Sequence, residues 1–140
     1  MTQDDLAGLE RARAVWDFTT GDERRFLDRV SLMKQTAESF LARKVTPDFV
    51  MLVHGPATRF VARTHAGTKF GKDPCPLLGD IHALLAALAA LGVRIEVCLI
   101  AMERSRVARE NLIACAAVED NVFLNSIALQ NKGYALMQVN

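Results

Sequence analysis

Apolar positions recur along this chain with two different periods. Between Arg24 and Arg43 the residues Phe26, Leu27, Val30, Met33, Ala37, Phe40 and Leu41 fall mostly three or four apart, the repeat of a helix with one face in a core. The preceding "RAVWDFT" reads as a short strand. The loop "TTGDE" between them has helix-capping chemistry, because Thr and Asp oxygens accept from the unpaired N–H groups of a first turn. Phe49, Val50, Met51, Leu52 and Val53 form an unbroken apolar run, as expected of a strand buried on both faces of a parallel sheet, and the run stops at the turn signal "HGP".

Further along, "ATRFVARTHAGTKFGKDPCP" opens as a short helix and passes into a loop rich in Gly and Lys. "LLGDIHALLAALAALG" predicts a helix that ends at Gly92, and "VRIEVCLIA" predicts a third strand. "MERSRVARENLIACAAVED" suggests a helical turn and then a second short helix. "NVFLNS" reads as a fourth strand, "IALQNKG" as a helical connection and "YALMQVN" as a last strand. Residues 1–11 are a polar lead-in, frayed or helical. Strands alternating with helical patterns imply an α/β fold, with a mainly parallel five-stranded sheet, right-handed crossovers and helices on both faces. No repeat or linker interrupts residues 1–140, so one domain is expected.

Composition narrows the functional classes. Of 140 residues, 17 are basic and 16 acidic, and only 6% are aromatic, which argues against a nucleic-acid or anionic-membrane binder. The longest apolar stretch is broken by Gly92, Arg94 and Glu96, so no membrane span is expected. The N-terminus is charged and has no apolar core of a signal peptide. Cys75, Cys98 and Cys115 are odd in number and widely spaced, with no C-x-x-C pair and no zinc pattern, and a cytoplasmic location is expected. There is no Gly-rich phosphate fingerprint and no G-x-S-x-G elbow.

In a parallel sheet the functional crevice lies outside the carboxyl ends of the strands. "TTGDE", "HGPAT" and "CLIAMERS" should arrive there. Cys98 then stands at the start of a turn or helix, where unpaired N–H groups favour the thiolate, and Arg104 and Arg106 add positive charge nearby. The competing reading is a cysteine packed as a small hydrophobe. His54 is either a proton partner for the thiol or a histidine that bonds its own turn, and Gly55 and Pro56 supply the turn in both cases.

"WDFTTGDE", "VMLVHGPAT", "LAALGVRIEVC", "CLIAMERSRV" and "NKGYALMQV", in that order from about Arg13 to Val139, resemble the DsrE/DsrF-like family of small sulfur-handling proteins, which includes the sulfur-relay Tus proteins. The resemblance implies a flavodoxin-like three-layer sandwich and a homotrimer or hexamer. It further implies a cysteine that takes up sulfur as a persulfide from a donor protein and passes it to an acceptor, with no cofactor. The matching cysteine is Cys98. On that reading Arg104 stabilises the anion, and His54 and Gly55 line the same site. Family members often place Arg-Gly before a branched apolar residue, whereas this chain has "RSRV" with Arg106 at the glycine position, so a different turn behind Cys98 is expected. The alternatives are a non-catalytic oligomeric protein that binds a small molecule or partner in the crevice, and a redox sensor pairing Cys98 with Cys75 or Cys115.

Overall fold

The structure is a computed structural model and describes residues 3–140, with the side chains of the first two of these left aside; the first two residues of the expected polar lead-in lie outside the described residues. Five strands form one sheet in the order β4-β3-β2-β1-β5, with every pairing parallel. They are β1 (Arg11–Phe18), β2 (Thr46–Val53), β3 (Arg94–Cys98), β4 (Ala116–Glu119) and β5 (Ala135–Val139). The α-helices are α1 (Glu23–Ala42), α2 (Leu78–Ala90), α3 (Leu99–Ser105) and α4 (Val122–Asn131). Short 3-10 turns cover Gln3–Leu6, Gly55–Phe60 and Arg109–Asn111.

Alternation along the strands sends two residue sets to opposite faces of the sheet. Trp16 and Phe18 of β1, Phe49, Met51 and Val53 of β2, and Ile95 and Val97 of β3 share the first face with Phe26, Val30 and Met33 of α1 and Leu85 and Leu88 of α2. The rings of Phe18 and Phe26 meet edge-on at 5.4 Å, and those of Phe26 and Phe60 stack at 4.3 Å. The second face is thinner. Val15, Val50, Leu52 and Cys98 pack there against Ala101 of α3 and Val122 of α4, with Leu129 and Tyr134 at the edge.

Crossover handedness explains the asymmetry. The chain steps from β1 to β4 in one direction, so right-handed crossovers put α1 and α2 on one face. It then returns past three strands to place β5 beside β1, which carries α4 over the opposite face. Apart from Ala101 at the start of α3, the cover of that face is α4, a helix of 10 residues whose Phe123, Leu124 and Ile127 stay exposed.

Most expected elements appear where the patterns put them. Asp22 caps α1, its side chain accepting from the Arg25 N–H at 2.8 Å. The chain leaves α2 through Gly92, with the Val93 N–H donating to Leu88 O. Three expectations are corrected. "NVFLNS" is not the fourth strand; it opens α4, because the Asn121 side chain accepts from the Phe123 N–H and caps a helix there. The fourth strand lies upstream, at Ala116–Glu119, inside a stretch expected to be helical. Its short, Ala-rich sequence carries little β signal, and the strand exists because it pairs with β3. The third strand also stops at Cys98 rather than running on through Leu99 to Ala101, which begin α3.

The turn behind Cys98 closes on a left-handed residue, Arg106, at the position where family members often have glycine. Arg106 closes α3 at φ 56° and ψ 43°, conformational space that costs a side-chain-bearing residue about 1 kcal/mol. Arg106→Gly is therefore expected to raise stability by about 0.5–1 kcal/mol, read as a shift in urea midpoint at unchanged slope. A second expectation concerns Glu96, a buried carboxyl of β3 on the second face. Burial pushes its pKa up, and the Glu119 carboxylate on β4 adds to the rise. A raised folded-state pKa means that stability is lost as pH climbs from the ordinary carboxylate range through the folded value. Glu96→Gln is expected to be more stable than the parent at pH 7.5, with the difference closing near pH 4, as measured by urea unfolding at both pH values.

Candidate functional site

Three strand ends build the site. β2 ends at Val53, and His54 continues in extended backbone at φ −153° before Gly55 turns at φ +57° into the 3-10 turn. A left-handed turn here suits glycine, and nothing lies within 4 Å of where its Cβ would stand. β3 pairs with β2 so that Val97 lies level with Val53. One residue further on, His54 and Cys98 are at the same height and on the same face. Cys98 is the N-cap residue of α3 and is 5% exposed.

β1 adds a residue that the sequence patterns did not single out. Asp17 Oδ1 lies 2.5 Å from His54 Nε2, both side chains being largely buried. This contact fixes one ring nitrogen against a carboxylate and sets the plane of the imidazole. The ring also meets Phe123 of α4 edge-on at 5.2 Å. His54 thus does more than bond its own turn.

Above Cys98 opens a cavity of about 530 Å³. His54, Gly55 and Pro56 line it from the end of β2, and Ile100, Ala101, Arg104 and Ser105 line it from α3. Lys69 and Phe70 of the long loop and Phe123 of α4 complete the wall. All four residues expected at the site, Cys98, His54, Gly55 and Arg104, border this one cavity. Lys69, Phe70, Phe123 and Asp17 are additions. The cavity sits at the β2–β3 ends rather than at the point between β1 and β5 where the strand order reverses. The loop "TTGDE" does not line it. Its Gly21 packs behind, where a Cβ would stand 2.7 Å from Pro56 Cβ, so the residue must be glycine for the two loops to meet. Arg59 fastens the arrangement by donating to Gly21 O at 3.0 Å and Pro74 O at 3.2 Å.

The other two cysteines lie elsewhere. Cys75 and Cys115 pack against the first-face core, whereas Cys98 belongs to the second. All three are free thiols, and neither Cys75 nor Cys115 packs in the cluster that holds Cys98. Burial pushes the Cys75 thiol up to about 11, helped by its hydrogen bond to the Glu23 carboxylate. That carboxylate also accepts the Leu77 N–H at 2.9 Å. Among the described residues no group of three His, Cys, Asp or Glu side chains is placed to hold a metal. Cys75 is expected to alkylate slowly at pH 8, with a rate that rises toward pH 11, and Glu23→Gln is expected to speed the reaction several-fold; peptide mapping after timed iodoacetamide exposure reads both.

The sequence matches the model of the DsrE/DsrF-like family over residues 24–139. No curated protein matches it. Among solved structures it is similar to a protein of unknown function, MTH1491, from Methanobacterium thermoautotrophicum, with a TM-score of 0.71 at 16% identity over 91% of this chain and 98% of that one. It is also similar to the ychN protein from E. coli, with a TM-score of 0.55 at 16% identity over 93% of this chain and 98% of that one. At such identities the two structures speak to the fold, and the family match covers most of the chain: the protein belongs to the DsrE/DsrF-like family.

Proposed function

We propose that this protein is a sulfur carrier that accepts and passes on persulfide sulfur through Cys98. The observation that carries the reading is the meeting of Cys98, His54 and Arg104 on one cavity at the carboxyl ends of β2 and β3. Cys98 attacks the outer sulfur of a donor persulfide as its thiolate. The new S–S bond forms as the donor's S–S bond breaks, and the donor leaves as a thiol. His54, oriented by Asp17, takes the proton from Cys98 and returns it to the leaving thiolate. Arg104 offsets negative charge on sulfur. The reverse exchange with an acceptor thiol empties the carrier. None of these steps changes the net oxidation state, so none needs a cofactor.

Exposed apolar residues support self-association. Phe123, Leu124 and Ile127 of α4 and Leu136 and Met137 of β5 are all at least 40% exposed. A second copy covering them is consistent with the homotrimer or hexamer implied by the family, and leaves the cavity reachable from its open side. The deep placement of Cys98 favours one other reading, a non-catalytic protein that holds a small molecule over a packed thiol.

The two readings part in one experiment. After incubation with polysulfide, intact-mass analysis is expected to show one added sulfur that maps to Cys98, is lost in Cys98→Ser and moves to a low-molecular-weight thiol. Asp17→Asn is expected to slow loading about tenfold or more by releasing the imidazole. An unmodified Cys98 alongside sulfurated Cys75 or Cys115 rejects the carrier.

A further inference from the structure

We propose that the cavity above Cys98 is a binding site for a low-molecular-weight organic anion, and that the sulfur donor is a small carboxylate-bearing persulfide. The second half rests on the carrier reading; the first does not.

The lining decides the ligand class. Pro56, Phe70, Ile100, Ala101 and Phe123 make most of the wall apolar. The charged or titratable lining groups are Lys69, Arg104, His54 and the thiol, and no carboxylate lines the cavity. Lys69 and Arg104 come from different elements, the long loop and α3. The Lys69 N–H donates to Ser105 O at 2.9 Å, which holds the loop against the end of α3 and keeps the two cations on one cavity. Neither side chain takes part in an ion pair or side-chain hydrogen bond among the described residues, although the surface carries several such pairs. Two free cations facing an apolar chamber select a molecule with an anionic head and an apolar body.

Size and access favour a small molecule over a macromolecule as the direct donor. A volume of about 530 Å³ lies in the range of small-molecule sites, roughly 300–1,000 Å³. Cys98 lines this cavity but is only 5% exposed, so a short organic chain entering the cavity reaches it more readily than a cysteine held on the surface of a folded partner. With the donor carboxylate on Lys69 and Arg104, the outer sulfur of R–S–S–H reaches Cys98. The Cys98 thiolate, its proton held by His54, forms the new S–S bond. The donor's S–S bond breaks, and R–S⁻ takes the proton back from His54. The products are Cys98–S–S–H and R–S–H, with atoms, protons and electrons balanced.

The test compares the persulfides of 3-mercaptopropionate and 3-mercaptopropionamide, alike in length and different in charge. Loading of Cys98 is followed by intact mass in the parent and in a Lys69→Ala, Arg104→Ala double variant, both substituted side chains being exposed and outside the core. The expected result is about a tenfold preference of the parent for the anionic donor, the scale of one charge-assisted hydrogen bond, falling to near parity in the double variant. Equal loading by both donors in the parent overturns the anion site while leaving the carrier reading intact. If neither donor loads Cys98, the carrier reading fails and the site is judged by binding alone. There 3-(methylthio)propionate, which cannot transfer sulfur, should slow iodoacetamide alkylation of Cys98 in the parent and not in the double variant. Absence of that protection overturns the anion site as well.

Discussion

The strict two-residue alternation of a parallel sheet governs this molecule. Along β1 and β2 every second residue enters a deep core beneath α1 and α2, with Trp16, Phe18, Phe49, Met51 and Val53 all buried. A one-residue slip of either strand would send these side chains to the thin face and bring Asp17 and His54 into the oil. The oily face therefore fixes the register, and the register in turn sets which residues meet on the other face. Asp17, His54 and Cys98 assemble there because the core opposite leaves them no other placement.

Chain direction accounts for the location of that chemistry. The forward run from β1 to β4 uses up the helical cover on one face. The single return over the other face brings one short helix, which seals Val15, Val50 and Leu52 but leaves room at the strand ends. Polar and titratable groups collect where the cover is thin: Asp48 bonded to the Tyr134 hydroxyl, Glu96 near Glu119, and His54 against Asp17. The cavity above Cys98 is thus a consequence of topology as much as of local sequence.

The site itself was partly legible from the chain. Cys98 and Arg104 are close in sequence, and "HGP" marks a turn, so local rules could single out these positions. Asp17, Lys69, Phe70 and Phe123 carry no local mark. Asp17 reads as an ordinary strand-end acid until β2 lies beside it, and Lys69 reads as one cation of a polar loop until Ser105 holds that loop in place. The fourth strand escaped notice for the same reason. "AAVE" has weak intrinsic preference, and only pairing with β3 makes it a strand, while Asn121 turns the more apolar "VFLNS" into a helix by capping it.

What the sequence determined by itself was what repeats or punctuates: the periods of α1 and α2, the buried run of β2, the exits at Gly55 and Gly92, and the α/β class that follows from their order. These depend on contacts within a few residues, or on a pattern that any burying surface would satisfy. Tertiary structure decided what depends on neighbours far apart in the chain. It set the strand order, the side of the sheet on which each cysteine lies, the carboxylate behind His54 and the pair of cations facing one cavity. Such placements are products of register and crossover handedness, which no short stretch of residues contains.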